Sequence, residues 1–432
     1  MRRVPPKPHP PVVSAKARIV VLGGGFAGLE TAFYLRAKLG SRAALTLVSD
    51  RHEFLFKPNT IYIPFGADPS SFLIPLGGPA KKRDIELVAG SVESVNLEPR
   101  RVNAGGRKFP YDFLVIATGA SMRPEEVPGL AEHAETIWTP AEMLSLRTKL
   151  ETIAVRAKRG EELTLLFNVP PNNKCAGPLY EIVFMVETWL RRQRIRESVR
   201  LLYTTFEQTF IQAFGPKLHE VVTAEFAARG IEGRTGVRLL SVDRQEAYFE
   251  GGAREAHDLL VAFPPYAAAM RYDGLPADGR GFLATELESR RVVGHDRIYA
   301  PGDAGDFPVK QAFLAFLQAD AVAEHIAGEV RGGAPGYQFD PVSMCVMEEL
   351  DTATFAQVPL ELTGDPVHPV AVRPDADGAY RVGVSPAWRL GKKLLGLYLP
   401  FRFNAGRPFH AGLPWRAMDL GLKGMSALLA RR

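Results

Sequence analysis

Apolar positions along this chain change period several times, and each change predicts an element. Arg18 to Leu22 is a short β-branched run, Gly23 to Gly28 a tight glycine turn, Leu29 to Leu39 a stretch of helical spacing, and Ala44 to Val48 a second strand. That is one strand–helix–strand unit with an expected right-handed crossover. A second block starts near Glu162, with an apolar strand from Leu163 to Val169, an amphipathic helix from Ala176 to Arg194 and a strand from Leu201 to Thr205. Arg297 to Asp303 ends a further strand in a glycine turn, and a helix follows from Gln311 to Gly328. The expected layout is a flexible proline-rich tail at 1–16, a first α/β domain at 17–150 completed by 276–335, a second at 151–275, and a C-terminal region at 336–432.

Near the end, Trp415, Met418, Leu422, Met425 and Leu429 recur at helical spacing and predict an amphipathic helix. Residues 388–432 hold nine Lys/Arg and one acid, Asp419, so this end carries +8 of a net +5 and the rest sums to −3. The same segment is rich in Trp, Phe, Tyr and Leu, which suits an anionic membrane surface better than a nucleic acid. Phe401, Phe403, Phe409 and the segment around Phe355 are candidate apolar walls for a quinone ring. A composition of 46% apolar and 23% charged residues over 432 excludes disordered and fibrous proteins. Two cysteines exclude a disulfide scaffold. No apolar run reaches the roughly 18 residues of a spanning helix, and the basic start has no apolar core behind it, so a peripheral protein on the cytoplasmic side is expected. No metal-ligand set is read, and a homo-oligomer is left open.

Gly23-x-Gly25-x-x-Gly28 gains meaning from its context: it follows a strand, opens a helix, and is followed after the next strand by Ser49 and Asp50. In a Rossmann-like dinucleotide-binding domain the first glycine makes the turn, the second admits pyrophosphate, and the third packs helix on strand. Phe26 and Ala27 lie inside that turn, and Asp50, with Ser49, is placed for a ribose. Two more strand ends, Ala117-Thr118-Gly119 and Gly302-Asp303, complete a three-part combination that resembles the flavoproteins with two dinucleotide domains. That resemblance implies FAD, with Asp303 at the ribityl chain.

The second block departs from its NADH-using counterparts. Its strand runs into Pro170-Pro-Asn-Asn-Lys-Cys175-Ala-Gly177, where only one glycine of the expected fingerprint remains. Prolines remove backbone donors where pyrophosphate would be cradled. Cys175 stands there instead, at the start of a helix and beside Lys174, a setting expected to favour thiolate.

The string from Lys174 to Ile182, a second cysteine in Ser343-Met-Cys345-Val-Met347, and the stretches Phe54 to Asn59, Leu259 to Pro265 and Pro308 to Lys310 resemble the sulfide:quinone oxidoreductase family and the related flavin subunit of flavocytochrome c sulfide dehydrogenase. The resemblance implies that Cys175 and Cys345 form a redox pair beside FAD, that sulfide opens it to a persulfide, and that electrons pass to membrane quinone. It leaves open which cysteine faces the flavin. It makes Glu181 the candidate acid/base, and Lys310 is placed to stabilise negative charge on reduced flavin. The third cysteine of many members is absent: Trp138 stands in the corresponding stretch, so a covalent flavin link is not expected. Histidines found there and near Phe214 in some members are also missing, with Glu142 and Ala213 in their neighbourhood. The competing readings are an NADH:quinone oxidoreductase on the same fold, a sulfide dehydrogenase with a cytochrome acceptor, and a membrane-surface binding protein that has lost catalysis.

Overall fold

The computed structural model describes residues 16–376, 378–410 and 412–430. Most of the proline-rich stretch expected to be a tail lies outside the described residues, as do Arg431 and Arg432. In chain order the elements that position the site are β1 (Ala17–Leu22), α1 (Phe26–Leu39), β2 (Ala43–Ser49), β3 (Ile85–Ala89), β4 (Phe113–Ile116), α2 (Pro140–Lys158), β5 (Leu163–Val169), α3 (Gly177–Gln193), β6 (Val199–Thr205), α4 (Gly215–Ala228), β7 (Ile231–Arg234), β8 (Leu259–Ala262), β9 (Ile298–Tyr299), α5 (Ala312–Arg331), β10 (Val342–Glu348), β11 (Ala353–Leu362), β12 (Arg381–Val384), α6 (Pro386–Asn404) and α7 (Leu413–Leu429).

The first sheet is parallel, in the order β9-β4-β1-β2-β3. Its central strands are apolar on both faces because both are covered. Helices α1 and α5 lie on one side around Phe33, Leu35, Val322 and Ile326. The other side meets the antiparallel sheet of Val92–Asn96, Arg101–Ala104 and Arg107–Pro110. Strand β9 comes from far along the chain, so the chain does return to its first sheet. The second sheet is also parallel, in the order Glu135–Thr136, β8, β5, β6, β7.

Two expectations change. The boundary placed at 150 falls inside α2, whose Met143, Leu146, Leu150 and Ile153 pack into the same core as Leu163, Leu165 and Phe167 of β5. With Glu135–Thr136 in the second sheet, the second unit begins near residue 135. Residues 342–384 form a sheet of their own, β10, β11, Val370–Val372 and β12, with Cys345 paired to Ala356. Strand β11 is buried on both faces, so it shows no alternation from which a strand could be read.

The C-terminal helices also differ from the expected amphipathic face. Trp415 packs on Phe409 and His410, at 4.8 and 4.5 Å between ring centres, and Met425 on the Phe355–Trp388 cluster. The line from Trp415 to Met425 therefore faces the protein. The outward side of α7 carries Leu413, Leu420 and Leu428, and that of α6 carries Leu390, Leu394, Leu397 and Phe401. Helix α7 has apolar residues on two sides, and the bulkier Trp and Met side chains took the inner one.

Candidate flavin and dithiol site

The three glycines of the first turn differ in what surrounds them. Gly23 has φ +108°, and a Cβ there would fall 2.2 Å from the Ala117 carbonyl oxygen. A Cβ on Gly28 would fall 1.9 Å from the Gly23 carbonyl oxygen. Gly25 faces open space, with nothing within 4 Å of an added Cβ. It also caps α1, whose free N–H groups open on that side. Turn, close packing and open approach fit a pyrophosphate. Phe26 and Ala27 begin α1, and Ala27 lies under Gly302, 2.9 Å from where a Cβ would sit. Asp50 is exposed just past β2. The Ser49 hydroxyl is instead bonded within its own turn, donating to the Arg51 carbonyl at 2.8 Å, which leaves Asp50 as the group facing outward.

Thr118 accepts a hydrogen bond from the Tyr272 hydroxyl at 3.2 Å, and Gly119 takes φ +77°. Across the sheet, the Gly302 N–H donates to Gln318 of α5 at 2.9 Å, which orients the turn that carries Asp303. Asp303 is half-buried, and desolvation pushes its carboxyl above its ordinary range, with Lys310 and then Lys57 pulling it back. Burial brings both lysines down to about 7. The Lys310 ammonium donates to the Gly305 carbonyl, and its backbone N–H donates to the Lys174 carbonyl at 3.1 Å. That last bond ties the cysteine turn to the flavin strand.

The Cys175 N–H donates to Asn173 Oδ1 at 2.9 Å, and Asn173 Nδ2 donates to the carbonyls of Phe263 and Pro264 at 2.8 and 3.1 Å. Asn173 thus holds the cysteine turn against the loop after β8. Cys345 reaches the same place from β10, its Sγ 4.0 Å from a Cβ built on Gly177. Both thiols are free. The thiolate preference expected at Cys175 is not what the surroundings favour. Burial, then the Cys345 thiol, push Cys175 well up, and the Gly177 N–H only partly opposes them. Burial, then the Glu181 charge, raise Cys345 to about 12.

Glu181 lies on α3 and is buried. Its Oε1 accepts the Glu348 N–H at 2.8 Å and the Lys392 ammonium. Burial raises it and Lys392 lowers it. Beside it, Glu348 accepts from Arg389 Nε and from the Tyr62 hydroxyl, each at 2.6 Å. Arg389 and Lys392, expected on a membrane face, are therefore turned inward to two buried carboxylates.

Trp138 packs 5.6 Å from Tyr266, with the Lys57 ammonium 2.8 Å from its ring centre. Glu142 is a helix cap: it accepts the N–H groups of Trp138 and Thr139 at 2.6 and 2.9 Å. The candidate quinone walls do not converge. Phe355 stacks on Trp388, Phe403 and Phe409 belong to the α1–α5 core, and Phe401 is exposed. Sequence reading missed Asn173, Lys57 and Lys392. The first adjoins the cysteine motif and the second lies in a stretch already singled out, whereas nothing local marks Lys392.

A model of the pyridine nucleotide-disulphide oxidoreductase family matches residues 17–156, and together with the relatives below it marks the chain as an FAD-dependent oxidoreductase. Over 361 residues it is 24% identical to the sulfide-quinone reductase of Aquifex aeolicus, covering 78% of this chain and 82% of that one. It is 23% identical over 347 residues to the mitochondrial sulfide:quinone oxidoreductase of Dictyostelium discoideum, covering 76% and 74%. The crystal structure of the Aquifex aeolicus sulfide:quinone oxidoreductase superposes with a TM-score of 0.83 at 21% identity, over 94% of this chain and 96% of that one. This chain is thus similar in sequence to sulfide:quinone oxidoreductases and shares the fold of one of them.

Proposed function

We propose that this protein oxidises sulfide at Cys175 and Cys345 and passes the electron pair through FAD to a membrane quinone. The observation that carries the reading is the meeting of two distant thiols at the first turn of α3, tied through Lys174 to Lys310. FAD, when bound, supplies a two-electron acceptor that can pass its electrons on to quinone. Gly23, Gly25, Phe26, Ala27 and Gly28 form its pyrophosphate cradle and Asp50 its ribose contact. Thr118 and Gly119 line the strand end, and Gly302 and Asp303 take the ribityl side.

Hydrosulfide attacks the oxidised pair. One S–S bond breaks and one forms, leaving a persulfide on one cysteine and a thiolate on the other. Closing the pair again through the extra sulfur releases two electrons and one proton. Half-buried thiols whose pKa values desolvation raises hold their protons, so a neighbouring group must take and return them. Glu181, whose charge acts on Cys345, has that role. Lys310 offsets negative charge that develops at the cofactor.

Support against an NADH donor comes from the second nucleotide fold. Glu207, just past β6, spends its carboxylate on its own loop, accepting from the Thr205 hydroxyl at 3.1 Å and the Gln212 N–H at 3.0 Å. No helix among the described residues is long and apolar enough to cross a membrane. The outward leucines of α6 and α7 are the proposed contact with an anionic bilayer that holds the quinone.

An anaerobic flavin titration tests the reading. Sulfide bleaches the flavin, soluble quinone restores it, and Cys175→Ala and Cys345→Ala abolish the bleaching while retaining FAD. Bleaching by NADH and not by sulfide overturns it.

A further inference from the structure

Apart from the dithiol site, the structure buries a second group of polar residues with no assigned task. Glu30 of α1, Asp320 of α5 and His410 of the segment between α6 and α7 each offer a ligand atom, and these atoms lie within 4.8 Å of one another. His410 Nδ1 is 2.8 Å from Asp320 Oδ2. The Glu30 oxygens accept the N–H groups of Phe409 and His410 at 2.6 and 3.1 Å, which leaves lone pairs on both. The side chains of His410 and Asp320 are 5% and 9% exposed. Asp320 Oδ1 and His410 Nε2 are buried with no hydrogen-bond partner among the described residues.

Two facing carboxylates in a dry site repel each other and must share a compensating charge. The imidazole is enclosed by the rings of Phe313, Phe316, Phe409 and Trp415, none of which hydrogen-bonds to it. Lys38, whose charge acts on Asp320, is engaged with Glu324 at 2.5 Å. We propose that Glu30, Asp320 and His410 bind one divalent cation of the zinc type. Two carboxylate oxygens and one imidazole nitrogen suit that class, two negative charges balance the ion, and the unpartnered Asp320 oxygen gains a partner. The ion ties the C-terminal segment to α1 and α5, the helices that begin at the glycine turn and hold Gly302 through Gln318. Its role is structural, and it is independent of the sulfide chemistry.

The test uses the FAD-loaded full chain, incubated with Zn2+ or Co2+ and then freed of unbound metal. The expected result is about one metal per FAD, a thermal midpoint raised by the metal and lowered by a chelator, and visible d–d bands with Co2+. Asp320→Asn and His410→Gln, selected for retained FAD, lose the metal. The Co2+ bands of the native chain keep the test decisive if both variants fail to fold. A native chain that retains no metal and shows no midpoint shift overturns the proposal, and a proton shared between Glu30 and Asp320 then accounts for the cluster.

Discussion

Removing the Lys392 ammonium should expose how much the Glu181 environment depends on α6. The two side chains are 11% and 10% exposed, so solvent screens their interaction little. In Lys392→Met, Glu181 keeps only the Glu348 N–H. Leaving a buried charge unpaired costs about 3–5 kcal/mol. The carboxyl can escape by taking a proton, and that sets a ceiling. Holding the proton at pH 7.5, about three units above an ordinary glutamate, costs about 4 kcal/mol, and at pH 5 under about 1 kcal/mol. Glu181 is already raised by burial, and loss of Lys392 raises it further. The folded variant then holds a proton that the unfolded chain lacks, so its stability falls as pH rises above the ordinary carboxyl range. We expect Lys392→Met to lose about 3–4 kcal/mol at pH 7.5 and about 1 kcal/mol at pH 5. Adding Glu181→Gln should recover about half of the loss, because the buried charge is gone. Urea unfolding followed by flavin fluorescence, with FAD in excess, measures all four members of the cycle. A loss independent of pH, or a double variant no better than the single, refutes the reasoning.

Gly28→Ala should yield protein without FAD, since its Cβ would lie 1.9 Å from a backbone oxygen that cannot yield, whereas Gly25→Ala should fold and bind FAD at least tenfold more weakly; flavin content and fluorescence titration separate the two. Lys57, held at about 7 by burial, makes the apoprotein gain stability as pH rises from about 7 towards 10, because the unfolded chain binds a proton there that the folded chain lacks. Lys57→Met should remove up to about 1.4 kcal/mol per pH unit of that slope in apoprotein denaturation, and an unchanged slope would contradict the assignment. Leu394→Asp with Leu397→Asp should cut binding to anionic liposomes at least tenfold while sulfide still bleaches the flavin, because both side chains point outward; undiminished flotation would place the membrane contact elsewhere.

Local sequence determined the nucleotide fold. Gly23 and Gly28 sit where a tight turn and a close packing contact leave no room for a side chain, and Gly25 keeps the approach between them open, so their spacing is legible from a few residues. The runs of β1 and β5 are legible too, since both faces are covered and most positions are apolar and buried. The cysteine turn was visible too, because prolines and a cysteine stand where glycines belong.

Tertiary structure decided what surrounds those motifs. Cys345 reaches Cys175 only because a later sheet lays β10 against α3, and β11, which pairs with β10, shows no alternation that would announce that sheet. Lys392 looks like a surface lysine until α6 turns it onto Glu181. Trp415 and Met425 look like a membrane face until the body of the protein takes them and leaves Leu413, Leu420 and Leu428 outside. The pKa of Cys175 followed burial rather than the helix terminus, because desolvation of a whole charge outweighs the partial charge at the end of a helix. The meeting of Glu30, Asp320 and His410 depends on three segments far apart in the chain, a juxtaposition that only the packing of α1, α5 and the C-terminal segment creates.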